Sequence, residues 1–461
     1  MKHYQSWLLG STCFFTFAAL VAAGMVACGG GADAPAAASQ SNAVEGETPG
    51  LSASPNATTT MTASTTTTPV GSSTTPSTQT TTTMTTTGSA SPARTDFPLK
   101  VTELSTALSS PWSLAFLPHG NMLVTERAGS LRIVSSAGSV SAATSGVPAV
   151  NSGGQGGLLD VVPDPAFASN QRIYFSFSEN DATNASINST AVARARLDVA
   201  ALRLTEVQVI YRQSPKVSSV GHFGSRLVFD RNGYLFVTLG DRQNDDQRGF
   251  AQDLSRGNGK VVRITTDGAP APGNPTFAAA LGAQTGIWSY GHRNPQGAAL
   301  HPTTGQLWVN EHGAQGGDEL NLVLAGNNYG WPKASYSQEY GATTPVGPAT
   351  LPGVTPPVSY WITRDGSAFT GGAQSSIAPS GMAIYAGDKF PEYRGNAFLG
   401  ALAGTALWRV VLGGADGVTE VSRERLLAAR NERIRDVRVG PDGWIYLLTD
   451  GATGKLLRVS R

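Results

Sequence analysis

Cysteine is almost absent from this chain: of 461 residues only Cys13 and Cys28 carry a thiol, and both lie in the first 28. The body that follows has no disulfide framework and must hold by its own core or by metal. Long apolar runs are equally scarce. The one that stands out, Phe14 to Val26, follows an early Lys2 and ends in small residues, which is the layout of a secretory signal. Charge is sparse and balanced, with 33 Lys and Arg against 32 Asp and Glu, so nothing in it points to nucleic acid as a partner. There is no CxxCH for haem attachment and no dinucleotide fingerprint.

From Thr48 to Ala93 there is no Lys, Arg, Asp or Glu at all, only Thr, Ser, Pro, Gly, Ala and a few others. Such a composition buries too little apolar surface to offset the entropy of ordering, so residues 29–96 read as a disordered tether. Residues 1–28 read as the signal, and the fold is expected over 97–461. The MVAC exit resembles a bacterial lipoprotein processing site, with Cys28 as the lipidated first residue of the mature chain. Met25 stands where Leu is commoner, which leaves an ordinary cleaved signal or a retained anchor as alternatives. Export is the expectation, to the periplasm, the outer membrane or the cell surface.

Beyond Phe97 helical periodicity is rare, while short alternating or apolar runs closed by Gly, Pro, Asn and Asp recur, which predicts an all-β body. Six segments share one plan: a strand, a turn, and a second strand ending in a small or acidic residue. Their turns start near Pro118, Pro163, Asp230, Pro302, Gly387 and Pro441. Irregular spacing of this order suits a six-bladed β-propeller with variable loops, and a double β-sandwich is the alternative. In a propeller the inner strands rim one channel, so residues at equivalent positions of different blades converge.

Polar clusters flank these hairpins: Gln155 in NSGGQGGLLD, His222 in VGHFGSRL, Arg293 and Asn294 in SYGHRNPQG, His312 and Asp318 in NEHGAQGGDEL, Arg433 and Arg435 in NERIRDV. Arginines pair bidentately with the carboxylates of a planar polyanion, and a histidine takes a proton. The set reads as a site for an acidic cofactor.

GGQGGLLDVVPDPAF, GHFGSRLVFD, YGHRNPQGAALHP, GDELNLVLAGNNYGWP and SIAPSGMAIY, in this order, resemble the soluble quinoprotein glucose dehydrogenase and aldose sugar dehydrogenase family over about Val101 to Ser460. The resemblance implies a propeller that holds pyrroloquinoline quinone and Ca²⁺ and oxidises the anomeric carbon of aldoses to lactones, with electrons passing to an external acceptor. It implies that His222 is the general base for the C1 hydroxyl while hydride moves to quinone C5. Gln155 would bond near the same hydroxyl, and Arg293 and Asn294 would contact the cofactor. Arg433 and Arg435 would grip its carboxylates. The carbonyls of Gly313 and Ala314 would ligate the cofactor's calcium. A second calcium would fall on Glu319 and the Tyr329 carbonyl, with Glu339 a looser match.

Two departures move the match toward the aldose dehydrogenase branch. Ala403 replaces a cofactor-binding lysine, and Gly221 replaces the acidic residue that precedes the base. Other residues have plainer readings: His292 as an orienting group, His119 and His301 as turn residues, Trp112, Trp308, Trp408 and Trp444 as blade packing within strands, and Gly240 to Gln247 as a solvated loop. Arg433 and Arg435 could instead pair with Glu432, Asp436 or Asp241. A calcium-dependent lactone hydrolase using His222 on water and a non-catalytic binding propeller remain as other functional readings.

Overall fold

The computed structural model of the protein describes residues 94–461. The expected signal and Cys28 lie outside the described residues, as does the tether up to residue 93. Attachment to the body begins at Thr95, whose backbone N–H and hydroxyl both donate to Glu424, two residues ahead of the expected boundary.

The described residues form six antiparallel sheets, five of four strands and one of three. Their first strands in each sheet are Pro111–Phe116, Leu158–Pro163, Gly224–Phe229, Pro295–Leu300, Pro379–Ile384 and Ile434–Val439. Each of these six contacts the next around a closed ring, the last returning to the first, which makes the architecture a six-bladed β-propeller and excludes the double sandwich. All six expected turns connect the first two strands of a blade. The strand Lys100–Leu108 pairs antiparallel with Gly454–Ser460 as the outer strand of the last blade, so one blade joins both ends of the body.

Apolar faces of successive blades interlock. Trp308, Leu320 and Trp361 of one blade meet Met382, Leu399 and Trp408 of the next. Trp308, Trp408 and Trp444 are thus packing residues, as expected, although Trp444 sits just ahead of the strand Ile445–Thr449 and not within it. Along the axis the inner strands carry charge instead. Fully buried Arg226 lies between Asp160 and Asp436, and Arg438 bonds both carboxylates. Two arginines and two aspartates balance, which makes this burial tolerable.

Every first-strand pairing has a register shift near the strand's start, for instance between Leu158 and Val161, Pro295 and Gly297, and Ile434 and Asp436. A bulge bends the strand and re-aims the residues at its entrance. Gln155, His222, Arg293, Asn294 and Arg433 all stand just before or at these bulges. The repeat therefore directs them to one end of the channel.

Candidate active site

A cavity of about 310 Å³ opens at that end, and Gln155, Arg433 and Arg435 line it, with Arg127, Trp112 and His312. His222 adjoins it: its backbone N–H donates to Gln155 Oε1 at 2.9 Å. Arg293 borders a second void of about 10 Å³, large enough for one water or ion, which also touches Gly313, Glu319 and Tyr329. His312 lines both spaces. The sequence-predicted residues therefore come together from four blades. Ala403 does not line the cavity, although Leu402 beside it does. Ala314 is buried, with its N–H bonded to Ser337 Oγ.

The His222 ring is fixed by a residue that the sequence reading left in solvent. Nδ1 lies 2.7 Å from Asp241 Oδ1, and Asp241 Oδ2 accepts from Trp331 Nε1 at 2.7 Å. Asp241 and Arg242 are fully buried, so the segment from Gly240 to Gln247 is not a solvated loop at its start. Arg242 Nε donates to the Gly221 carbonyl and its Nη2 to that of Ser219, while the guanidinium stacks 3.8 Å over Phe223. These bonds hold the backbone on either side of His222.

Burial pushes the His222 pKa below the usual imidazole value, and the nearby Arg293 charge lowers it further, against the opposing pull of Asp241. Burial would raise the Asp241 carboxyl, but the His222 and Arg293 charges and its hydrogen bonds outweigh that, and it stays an ionised acceptor. Asp241 thus accepts a hydrogen bond from Nδ1–H of a neutral ring. Nε2 makes no hydrogen bond among the described residues. It carries the lone pair.

Arg433 and Arg435 reach the same carboxylate, Asp450, each at 2.8 Å, instead of Glu432, Asp436 or Asp241. Glu432 pairs with Arg430 and Lys455. With Arg127 and Arg293 close by, the mouth carries more guanidinium than carboxylate, which suits an anionic ligand. Three buried polar atoms there have no partner: Arg293 Nε, Asn294 Nδ2 and His312 Nε2. Buried polar groups without partners are costly unless a ligand supplies them. An aromatic polycarboxylate quinone, with oxygens around a flat ring, fits this donor set.

The divalent-cation expectations are met to different degrees. Gly313 O faces a cation already, since Arg293 Nη1 donates to it at 2.5 Å. Glu319 is half-buried with no cationic partner among the described residues, and desolvation, then the neighbouring Glu311 carboxylate, pushes its pKa well above the usual range. Asn321 Nδ2 bridges Glu311 and Glu319 at 3.1 Å each. A small void beside one buried and one half-buried carboxylate suits a hard cation. Glu339 is not part of it and pairs instead with Arg248.

His292 is an orienting group, as expected. Its Nδ1 pairs with Glu311, its Nε2 with Ser289 Oγ, and Glu311 also accepts the Arg293 N–H at 2.6 Å. Several residues that the sequence reading missed belong to the site: Asp241, Trp331, Arg127, and Tyr340, whose hydroxyl accepts from Arg293 Nη2. Trp112 packs as expected, buried against Leu159 and Phe223, and it also lines the cavity with its ring 4.0 Å from Arg226. One signal was available: Asp241, Glu311 and Asp450 all close the second strand of a hairpin, the small-or-acidic position of the repeat.

The family model described as glucose/sorbosone dehydrogenase matches residues 108–458. Aldose sugar dehydrogenase YliI of Escherichia coli is 46% identical over 367 residues, covering 78% of this chain and 93% of its own length. The structure of the soluble Escherichia coli aldose sugar dehydrogenase in its apo form has a TM-score of 0.71 at 44% identity, covering 79% of this chain and 99% of that one. The PQQ-bound aldose sugar dehydrogenase of Streptomyces coelicolor has a TM-score of 0.63 at 29% identity, covering 79% and 98%.

Proposed function

The chain belongs to the glucose/sorbosone dehydrogenase family, and from that premise we propose that it is an oxidoreductase acting on sugar CH–OH groups, one that oxidises the anomeric carbon of aldoses to lactones with pyrroloquinoline quinone and Ca²⁺. The observation that carries the reading is the His222 ring, fixed through Nδ1 by Asp241 and open at Nε2 beside an arginine-rich cavity. The names of the aldose dehydrogenases it resembles, one of them PQQ-bound, support the substrate and cofactor classes.

His222 Nε2 takes the proton of the C1 hydroxyl, and Asp241 stabilises the imidazolium that forms. Gln155, bonded to the His222 backbone, orients the same hydroxyl. Arg433 and Arg435, with Arg127 added by its position in the cavity, bind the cofactor carboxylates. Asn294 contacts the cofactor, and Arg293 offsets negative charge developing at the reacting end. When calcium is bound, the Gly313 and Ala314 carbonyls would hold one ion, the Gly313 carbonyl exchanging its Arg293 donor for it, and Glu319 with the Tyr329 carbonyl would hold a second. When bound, the quinone supplies a two-electron hydride acceptor and its calcium a Lewis acid. The electrons leave to an external acceptor. The N-terminal sequence supports export, with Cys28 as a lipid anchor.

A lactone hydrolase would need a cage of side-chain carboxylates, and among the described residues no group of three or more His, Cys, Asp or Glu side chains gathers for a metal. The test is reconstitution. The full chain freed of cofactor is mixed with pyrroloquinoline quinone and Ca²⁺, and dye reduction is followed with a panel of aldoses. Turnover and a change in the quinone spectrum are expected, and the absence of both would sink the reading. His222→Ala abolishes turnover and leaves cofactor binding nearly intact. Loss of binding in that variant would make the histidine structural.

A further inference from the structure

Asp241 holds the His222 ring, and its two oxygens are themselves held unequally. Oδ1 accepts from His222 Nδ1 at 2.7 Å and from the Gln243 backbone N–H at 2.8 Å. Oδ2 has one donor among the described residues, Trp331 Nε1 at 2.7 Å. A carboxylate pinned through one oxygen can still turn about its Cβ–Cγ bond, where the rotational wells are broad, and pinning the second oxygen stops that rotation. The indole N–H therefore fixes the plane to which the His222 ring aligns.

Trp331 does not come from the blade of His222 and Asp241. It lies between the third strand of the following blade, Asp318–Val323, and the fourth, Ser359–Trp361. Its main chain is clamped: the backbone N–H donates to the Gly291 carbonyl at 2.9 Å, and the carbonyl accepts from Gln252 Nε2 at 2.8 Å. Its side chain is buried, packs with Ala251 and Ala314, and has two guanidiniums near the ring centroid, Arg293 at 5.0 Å and Arg248 at 5.5 Å. Arg248 is tied in turn to Asp245 and Glu339. One fixed side chain thus touches the acid behind the proton acceptor by its indole N–H and the charge-offsetting Arg293 by its ring.

We propose that Trp331 is a positioning residue for the reaction, acting through Asp241: its indole N–H locks the carboxylate that holds the His222 ring. This rests on the aldose dehydrogenase reading of the site. Packing alone would need only the ring. An indole carries its donor on a flat apolar body, so it delivers a hydrogen bond without bringing water or a charge beside the base. A cationic donor at Oδ2 would neutralise Asp241, whereas a neutral one leaves its charge to stabilise the imidazolium. A small rotation of the ring moves Nε2 off the hydroxyl, and proton transfer is steeply sensitive to such a displacement.

The test removes the indole N–H and keeps an aromatic ring. In the full chain loaded with pyrroloquinoline quinone and Ca²⁺, Trp331→Phe should lower kcat on aldoses about ten-fold, with KM and quinone affinity within about two-fold of wild type. An unchanged kcat, or a loss shared equally by KM and quinone affinity, would overturn the proposal and leave Trp331 as packing. Benzothienylalanine at position 331, with sulfur in place of the N–H in a ring of the same shape, decides the same question should the phenylalanine variant not fold. Added to Asp241→Asn, Trp331→Phe should cause no further loss, and losses that multiply would refute the route through Asp241. A second readout needs neither cofactor nor sugar: in the cofactor-free chain the downfield Nδ1–H proton resonance of His222 should move in Trp331→Phe, while that of His292 on Glu311 stays. A His222 resonance that stays, or a His292 resonance that moves with it, counts against a specific hold on Asp241. A wild type that oxidises no aldose defeats the aldose reading, and the positioning role with it, while the two resonances still report whether Trp331 fixes the His222 pair.

Discussion

Two successive blades carry the same device. His222 and His292 each stand just before a first strand, and each donates through Nδ1 to an acid 19 residues later, Asp241 at 2.7 Å and Glu311 at 2.9 Å. Both rings are buried. They differ at the second nitrogen. His292 Nε2 is taken by Ser289 Oγ at 2.9 Å and the ring stacks 4.7 Å from Tyr329, so every polar atom of that imidazole is used inside the blade. His222 Nε2 is left open beside the cavity. A repeat makes the imidazole–carboxylate pair twice, and only the unfinished copy is available for proton transfer.

The strongest way to break this comparison is to remove the acid from the open pair. Asp241→Asn offers an amide in place of the acceptor that fixes the neutral ring, and it should lower kcat by about 10³–10⁴-fold with cofactor binding retained. Steady-state dye reduction beside a quinone titration checks it, and a loss below tenfold would mean that the pair does not act as a unit. In the closed pair the corresponding loss is one of stability. His292→Ala leaves a cavity, removes the ring partner of the Ser289 hydroxyl and takes one of the donors from the Glu311 carboxylate, which should cost about 2–3 kcal/mol in denaturant unfolding of the cofactor-free chain. The pH profile of the residual activity should keep its wild-type shape.

The pH profile itself separates the two pairs. His222 must be neutral to accept a proton, and burial and then Arg293 depress its pKa. The acid limb of kcat/KM should therefore lie below pH 6.5, the ordinary imidazole value, with activity lost as pH falls through the depressed pKa. Arg293→Gln removes one depressing charge, so the limb should move to higher pH even though the rate also falls. A limb that stays in place would assign it to a group other than His222.

The fold was legible because its punctuation is local. Pro118, Asp230, Pro302 and Pro441 mark turns by their own chemistry, and the strands around them alternate or run apolar. Gln155, His222, Arg293 and Asn294 were legible for a related reason, since each lies at a strand entrance that the repeat makes equivalent. Asp241 was not: its burial depends on Trp331 from a distant loop and on the register that sets Leu239 opposite Gly224, neither of which appears in GDRQNDDQ. Asp450 was missed in favour of acids nearer in sequence to Arg433 and Arg435, because the pairing of Ile434 with Thr449 brings it in from the far strand. Arg127 is of the same kind. Residues at the exits of second strands needed the hairpin to be folded before their neighbours could be named.

The smallest expected effect tests the comparison most directly. Ser289→Ala frees His292 Nε2 and so gives the closed pair the same hydrogen-bonding state as the open one. The cost should be about 1 kcal/mol, the loss of one buried hydrogen bond, read in urea unfolding. If an unpartnered nitrogen alone defined the base, this variant would gain a second acid limb in its pH–rate profile. No such limb is expected, because the ring is fully buried under its stack on Tyr329, where no sugar hydroxyl enters. His222 differs in facing the mouth of the channel, and that placement comes from the bulge at the start of its strand, which the hydroxyl of Ser289 does not control.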